Sequence, residues 1–375
     1  MSPRRIDRRS LLLGGGAALG LPVLGGFATR AWAEGEPAAL RNRRREAIHR
    51  GCQFLASRQH GNQGGGFGDH NGIVAITALS VLALMAEGST DGRGPWGKPI
   101  REGLDFLLKL VESPLHAGRY PKGYFYHPQD PSSRMHGQGY ATLALATALG
   151  TSTGRRDRRI RDVVRKAVEC IEQAQTATGG FGYDPEPGTE HEGSVTVTVA
   201  QGLRAAHDAG VPVKEDVVRK GLYYLKRSQN NGGPEDGSFR YSTYTDRSSY
   251  ALTAAALSSF FLYGRYTDDR DRTIERGLTF MMRKIEREIY NVRWFYYGNF
   301  YAAWTCWQKD GGDWTRGYWY RWQRIMFPNI LERQSQSSGA WTDDGDLFDF
   351  GPLVPTAFAV LTLAIPDEVL PILQR

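Results

Sequence analysis

Residues 221–239 read GLYYLKRSQNNGGPEDGSF, and they contain the pattern that decides the fold. A glycine is followed by an aromatic residue and a leucine, a glutamine occupies the ninth position, and a glycine-led turn ends in an aromatic residue. The pattern recurs in whole or in part, with turn aromatics at Phe67, Phe125, Phe181, Phe239, Phe295 and Trp341. The first four steps between them are 58, 56, 58 and 56 residues, and the last is shorter. Self-similarity at a nearly fixed period indicates a repeat architecture.

Each repeat contains two predicted helices of different character. The first is amphipathic, as in residues 160–174, where the apolar side chains share one face. The second is apolar nearly all round, and a helix without a polar face must be buried on every side. Five such segments lie at 73–85, 140–149, 195–206, 250–262 and 356–365. The sequence therefore predicts an all-α fold, an (α/α)6 toroid or barrel of six helix-pair repeats, closed so that no repeat end is left open.

The toroid is expected to fill residues 45–375, with repeats beginning near residues 45, 98, 158, 214, 270 and 320. Residues 34–44 are predicted to be a linker, and residues 1–33 a leader. In the leader, Arg8 and Arg9 precede a glycine-rich apolar run that ends at a small-residue cleavage site. This resembles a twin-arginine export signal and implies a periplasmic or extracellular location, with an uncleaved anchor as the alternative. No later segment is apolar enough to predict an integral membrane span.

Charge and cysteine content exclude some classes of partner. Lys and Arg exceed Asp and Glu by 7, and the leader carries 4 of that excess, so the rest of the chain is only weakly basic and predicts no nucleic-acid partner. The three cysteines, Cys52, Cys170 and Cys306, are widely spaced. They form neither a disulfide framework nor a CxxC metal pair, and we expect three small buried side chains.

Residues 334–341, QSQSSGAW, resemble the Gln-Trp motif of the terpenoid cyclases and protein prenyltransferases. The resemblance extends over residues 45–375 and implies an α/α toroid whose central cavity is lined by the starts of the inner helices. In that family the glutamine and the aromatic residue tie the outer helices together at the turns. They are therefore expected to be structural here.

The catalytic motifs that this resemblance implies are not found. The squalene cyclases protonate their substrate with Asp-x-Asp-Asp-Thr, whereas the nearest match begins at Asp246 and has Ser248 and Ser249 in place of the acidic pair. Serine cannot protonate an alkene. The prenyltransferases bind zinc through Asp-x-Cys and a histidine, but Trp304 stands two residues before Cys306. No standard zinc site is expected, and the sequence predicts no particular cofactor.

Other side chains near the inner helices are candidates for chemistry. The catalytic candidates are His136, His191, Asp246 and Tyr250. Three histidines precede predicted inner helices and could bind a metal or act as general bases if they converge: His70, His136 and His191. The alternative is that all three are polar residues at the rim.

Candidates for contact with a ligand in the cavity are His70, Gln138, Tyr140, Arg247, Tyr301, Trp304, Trp341, Asp343 and Asp344. The two aspartates belong to an acidic turn that suits Ca²⁺ or Mg²⁺, or that is simply a turn. The aromatic residues around repeat five suit an isoprenoid or stacked sugars, or pack as ordinary core.

Two functions stay open from the sequence. Export and the missing motifs favour a toroid that binds a lipid, an isoprenoid or another hydrophobic or sugar-like small molecule in its cavity. The alternative is an enzyme with a non-standard site in the same cavity, such as a divergent terpene cyclase or a polysaccharide lyase or hydrolase. Convergence of the three imidazoles would favour the enzyme, and a purely apolar cavity would favour binding.

Overall fold

The structure is a computed structural model, which describes residues 35–60, 64–68, 71–113, 120–264, 272–288, 293–343 and 345–374. In these ranges the chain forms twelve α-helices: α1 (Ala38–Ser57), α2 (Ile73–Ala86), α3 (Gly97–Glu112), α4 (Arg134–Ala148), α5 (Gly154–Ala174), α6 (Gly193–Asp208), α7 (Glu215–Arg227), α8 (Tyr250–Leu262), α9 (Thr273–Glu288), α10 (Phe295–Asp310), α11 (Gly317–Glu332) and α12 (Leu353–Ala364). Two hairpins of two-residue antiparallel strands lie in the turns, β1 (Gln59–His60) with β2 (Gly66–Phe67) and β3 (Phe239–Arg240) with β4 (Ser248–Ser249). The predicted all-α class is confirmed.

The even-numbered helices are the buried ones, as their composition requires. In α2 every residue except Ala75 is buried, whereas in α7 only four residues are: Val217, Gly221, Tyr224 and Leu225. Helices that are apolar all round form an inner ring, and amphipathic helices cover it from outside. The (α/α)6 arrangement thus buries the apolar helices on every side and the amphipathic helices on one face.

The inner ring is closed. Helix α12 packs against both α10 and α2, and each inner helix contacts the next. Neighbouring inner helices meet at their N-terminal ends, through the pairs Val74 and Asp130, His136 and Ser194, Gly193 and Tyr241, Ala251 and Gly298, Trp294 and Asp346, and Gly72 and Phe350. All six inner helices therefore begin at the same end of the toroid.

The repeat glutamines tie adjacent outer helices together, as the resemblance implied. Each donates from its side-chain amide to a glycine carbonyl in its own turn and to a carbonyl in the next outer helix. The four glutamines and their outer-helix acceptors are Gln59 with Pro99, Gln175 with Val217, Gln229 with Thr273, and Gln334 with Ala47. Four of the turn aromatics also donate their backbone N–H to a threonine in the following inner helix.

Three local expectations differ from the structure. The described part of the predicted linker, residues 35–44, is not a free linker, because α1 begins at Ala38 and Arg44 is wholly buried. Helix α4 begins at Arg134, six residues before its predicted start. Phe295 is the first residue of α10 and does not end a turn. The leader falls outside the described residues, so its assignment stays a prediction.

The packing of the inner ring depends on small side chains. Gly139 of α4 and Gly202 of α6 bring these two helices into backbone contact, since a Cβ at Gly139 would lie 2.7 Å from the carbonyl group of Thr198. The three cysteines are buried and unpaired, as expected. No described helix combines the length and the apolar composition that a bilayer span requires.

Candidate functional site

The candidate site lies at the end of the toroid where the inner helices begin, next to the first turn of α6. Glu192 is the N-cap residue of α6, and its carboxylate accepts hydrogen bonds from the backbone N–H groups of Ser194 and Val195 at 2.8 and 2.6 Å. A carboxylate at this position satisfies amides that have no partner inside the helix. The chain therefore folds locally so that Glu192 is fixed and almost fully buried.

Ser194 and His136 complete a contiguous polar group with Glu192, which we call the cap cluster. The Ser194 Oγ lies 2.7 Å from each carboxylate oxygen of Glu192 and 3.1 Å from Nε2 of His136. The same imidazole nitrogen is 3.6 Å from the nearer carboxylate oxygen. His136 comes from the first turn of α4, so two adjacent repeats build the cluster. Glu192 is the buried member of the cluster, whereas Ser194 and His136 are partly exposed.

The electrostatic environment moves the two titrating groups in opposite directions. Burial raises the pKa of Glu192 to about 7, although hydrogen bonds from Ser194 and Val195 act against that rise. Burial, helped by the positive charge of Arg134, lowers the pKa of His136 to about 4. Near neutral pH the imidazole is uncharged and the carboxyl group is close to half ionised. Titrating groups whose environments separate their pKa values in this way are typical of acid–base sites.

Two tyrosines and two arginines form the open side of the site. The hydroxyl groups of Tyr183 and Tyr241 are 2.7 Å apart. The Arg134 guanidinium lies over the Tyr183 ring at 5.1 Å, and that of Arg247 lies over the Tyr241 ring at 5.4 Å. The His136 ring is 5.7 Å from the Tyr183 ring. Partly exposed aromatic faces and cations thus surround the cap cluster.

Tyrosines also reach across the centre of the ring. The hydroxyl of Tyr301 donates to Gln201 at 2.8 Å and lies 3.3 Å from the hydroxyl of Tyr140. The Tyr140 ring meets Phe358 of α12 edge-on at 6.2 Å. Four inner helices therefore fill the middle of the ring, and they do so with polar groups as well as apolar ones. The nearby Tyr297 hydroxyl is buried and has no hydrogen-bond partner among the described residues.

Some predicted residues serve other contacts. The amide of Gln138 accepts from the N–H of Phe125 and donates to the carbonyls of Gly123 and Ala167, so it ties the turn of repeat two. The Trp341 indole donates to Ile330 at 2.7 Å. Tyr250 donates to Asn299, away from the cap cluster. These side chains are held in packing or turn interactions.

The remaining candidates are scattered. His191 turns away from His136, with Nδ1 2.9 Å from the Tyr224 hydroxyl, while its Nε2 is buried without a partner in the described part of the chain. Burial also lowers the pKa of His191. Asp246 is exposed, and Asp343 accepts from Gly345 in its own turn. Trp304 is buried in the core. His70 and Asp344 lie outside the described residues.

Among the residues that the structure describes, the candidate metal ligands do not come together. Across those residues, no three His, Cys, Asp or Glu side chains lie close enough to hold a metal ion.

The most informative residues of the site were not singled out from the sequence. Glu192 directly follows a candidate histidine, and Ser194 stands two residues later at the start of an apolar helix. A carboxylate in that position reads as an ordinary helix cap, because nothing nearby in the sequence shows that His136 packs onto it.

No protein-family model matches the sequence, and no curated protein matches it. Solved structures do resemble the fold. The type II terpene cyclase MstE from Scytonema is 16% identical, with a TM-score of 0.57, over 88% of this chain and 99% of that chain. The GH76A α-1,6-mannanase from Salegentibacter sp. HEL1_6 is 10% identical, with a TM-score of 0.61, over 86% and 98%. A D-mannose isomerase is 11% identical, with a TM-score of 0.63, over 90% and 98%.

At such low identities the likeness shows the fold alone, and function must be argued from the site. The resemblance inferred from the Gln-Trp pattern agrees with these neighbours. The chain is a divergent α/α toroid with the architecture of the terpenoid cyclases, an architecture that it also shares with enzymes acting on sugars.

Proposed function

We propose that the protein binds a hydroxyl-bearing small molecule of the sugar class at the end of the toroid where the inner helices begin. The observation that carries this proposal is the Tyr183–Tyr241 pair beside the cap cluster. Aromatic faces stack against the apolar faces of sugar rings, and hydroxyl, imidazole and carboxyl groups exchange hydrogen bonds with sugar hydroxyls. The tyrosines and the imidazole lie within one partly exposed patch, and the buried carboxyl group of Glu192 adjoins it through Ser194.

The neighbours lend support of a general kind. An inactive variant of the mannanase was solved in complex with α-1,6-mannotriose, so the same architecture accommodates a sugar in that protein. In the present chain, the Arg247 side chain beside Tyr241 would also suit a sugar that carries an acidic group, whereas Arg134 beside Tyr183 is already paired with Asp184.

The test is calorimetric titration of the protein with a panel of neutral and acidic mono- and oligosaccharides. We expect at least one sugar to bind, and its affinity to fall at least tenfold in Tyr183→Ala and in Tyr241→Ala. Tyr223→Ala is the matched control, because Tyr223 is a tyrosine of α7 that is 61% exposed and whose described ring contact is with Arg227. The proposal fails if no sugar binds, or if the control variant weakens binding as much as the site variants do.

An isoprenoid ligand is the second candidate. It is favoured by the aromatic core of the ring, where Phe300 and Phe358 lie 5.8 Å apart next to Tyr297. A single-substitution variant of MstE was solved in complex with geranylgeranyl dihydroxybenzoate. Binding of geranylgeraniol in a titration where every sugar fails would select this candidate. It ranks second because tyrosine hydroxyls and Gln201 already occupy the centre of the ring.

We further propose that the protein is exported through its leader, residues 1–33. Arg8 and Arg9 stand before the apolar run, as the twin-arginine route requires. Fusing the leader to a reporter and replacing both arginines by lysine is expected to leave the reporter in the cytoplasm. Unchanged export of that double variant would exclude the twin-arginine route.

A further inference from the structure

We infer that Ser194 is a nucleophile for carboxylic esters, with Glu192 as its general base. The protein would then hydrolyse an O-acyl group from its ligand. The nucleophilic role is argued from the geometry of the cap cluster. That the alcohol is a sugar rests on the proposed function.

Ser194 combines access with activation. Its neighbours Gly193 and Val195 are buried, whereas Ser194 is partly exposed and its Oγ faces both Glu192 and His136. A serine hydroxyl is a weak nucleophile until a base removes its proton. Here each carboxylate oxygen of Glu192 is 2.7 Å from Oγ, within the range that proton transfer needs.

The base is itself held in place. Two backbone N–H groups, those of Ser194 and Val195, bind the Glu192 carboxylate and fix its orientation toward Oγ. Burial raises the pKa of Glu192 to about 7. A base whose pKa lies near the working pH is ionised often enough to act and basic enough to take a proton.

His136 supplies a hydrogen-bond donor on the other side of Oγ. When the Ser194 hydroxyl donates to Glu192, its oxygen can only accept from Nε2 of His136, so the imidazole carries its proton on Nε2. Once Oγ is bonded to carbon, that N–H adjoins the tetrahedral centre. It can then donate to the oxygen on which negative charge develops.

The reaction balances without any further reagent except water. Oγ forms a bond to the carbonyl carbon, the π pair of the carbonyl moves to oxygen, and the serine proton passes to Glu192. The C=O bond re-forms and expels the alcohol, which takes the proton from Glu192. Water then attacks the acyl-serine with Glu192 again as base, and the carboxylic acid leaves with Ser194 restored.

The competing explanation is that the cap cluster only terminates α6. The chain offers a matched control for this, because Ser248 is also partly exposed and donates to a glutamate, Glu235, at 2.9 Å. The described contacts of Ser248 include no imidazole. Among the described residues, a serine–glutamate pair is thus found at Ser194 and at Ser248, and the one at Ser194 also has the imidazole.

The test is reaction of the protein with a fluorophosphonate probe, followed by peptide mass spectrometry. We expect an adduct on Ser194, no adduct on Ser248, and a labelling rate at least a hundredfold lower in Glu192→Gln. Ser194→Ala should abolish both labelling and hydrolysis of p-nitrophenyl acetate, while Ser248→Ala should change neither. Circular dichroism of each variant establishes that the fold is kept. If Glu192→Gln does not fold, Ser194→Cys replaces it, and its thiol is expected to react with iodoacetamide faster than that of Ser248→Cys.

An unlabelled Ser194 in folded protein would overturn the inference, and so would equal labelling of both serines. Because the probe contains no sugar, labelling of Ser194 without sugar binding would refute only the proposed ligand. Sugar binding without labelling would refute only the nucleophile.

Discussion

The side-chain amide of Gln334 donates to the carbonyl oxygen of Ala47 at 2.9 Å, which joins the last outer helix to the first. It also donates to Gly339 in its own turn at 2.8 Å. Gln59, Gln175 and Gln229 make the equivalent pairs of bonds at other repeat boundaries. The closing contact of the ring is thus chemically the same as its internal contacts.

Replacing Gln334 by alanine is expected to lower the free energy of unfolding by about 2 kcal/mol, because the buried carbonyl of Gly339 loses its donor and the carbonyl of Ala47 loses the bond that joins it to the last repeat. Urea denaturation measures this change. Gln336→Ala is the control, since Gln336 is exposed two residues further along the same turn, and we expect it to alter stability by less than about 0.5 kcal/mol. Equal effects of the two substitutions would contradict the structural role of Gln334.

Gly139→Ala tests the close approach of α4 and α6. The added Cβ would lie 2.7 Å from the Thr198 carbonyl group, which is backbone and cannot turn aside. We expect a net loss of about 2 kcal/mol in thermal or urea unfolding, because overpacking outweighs the better helix propensity of alanine. Gly92→Ala is the control, since nothing lies within 4 Å of its added Cβ. A neutral Gly139→Ala would mean that these helices are not in backbone contact.

Arg44 links the start of α1 to the residues that follow α12. It is wholly buried and donates to Glu36 at 2.9 Å, Asp367 at 2.8 Å and the Leu363 carbonyl at 2.6 Å. Arg44→Met removes the closest partner of the buried Glu36 carboxylate, which keeps only its 3.3 Å contact with Arg41, and we expect a loss of about 3 kcal/mol. The exposed neighbour Arg43 provides the control, and its replacement by methionine is expected to be nearly neutral in the same denaturation assay.

The cap cluster makes stability depend on pH in two opposing ways. The pKa of Glu192, raised from 4.5 to about 7, gives a stabilising contribution that is complete below pH 4.5 and is lost as the pH rises through 7. The pKa of His136, lowered from 6.5 to about 4, gives a stabilising contribution that is complete above pH 6.5 and is lost as the pH falls through 4. Each shift corresponds to about 3 kcal/mol.

Single variants separate the two contributions. Relative to wild type, the free energy of unfolding of Glu192→Gln is expected to rise by about 3 kcal/mol between pH 4.5 and 7. The free energy of unfolding of His136→Gln, again relative to wild type, is expected to fall by about 3 kcal/mol as the pH rises from 4 to 6.5. The exposed Glu190 supplies a control substitution, Glu190→Gln. Other groups bear electrostatically on Glu192 and are common to all variants: Tyr140 of α4, Tyr224 of α7, Tyr297 of α10, and the turn residues Tyr183 and Tyr241.

The architecture could be predicted because burial dictates it at the level of whole helices. Segments without a polar face, such as residues 73–85, have no stable place except inside the ring. The start of α4 could not be predicted, because its first turns contain Gly137 and Gly139, which weaken the helical pattern. The structure uses Gly137 to let α4 approach Val74 of α2, and Gly139 to let it approach α6.

The site escaped prediction because it depends on contacts between repeats. His136 and Ser194 are 58 residues apart, one repeat period, and only ring packing brings them together. Phe295 was misplaced for a similar reason, since Asp346 of the next repeat accepts from the Trp294 N–H at 2.7 Å and so begins α10 at that point. Patterns within one repeat locate helices, whereas the chemistry arises at the boundary between two.

The common direction of the inner helices places the N-terminus of each of them at one end of the ring. The outer helices run the opposite way, since Arg44 near the start of α1 reaches the Leu363 carbonyl at the end of α12, whereas Gly51, further along α1, lies beside Thr356 near the start of α12. The dipoles of inner and outer helices therefore oppose one another, and what remains is the local field within the first turn of each helix. That field favours a negative charge close to the first backbone N–H groups, which is the position that the Glu192 carboxylate holds at α6.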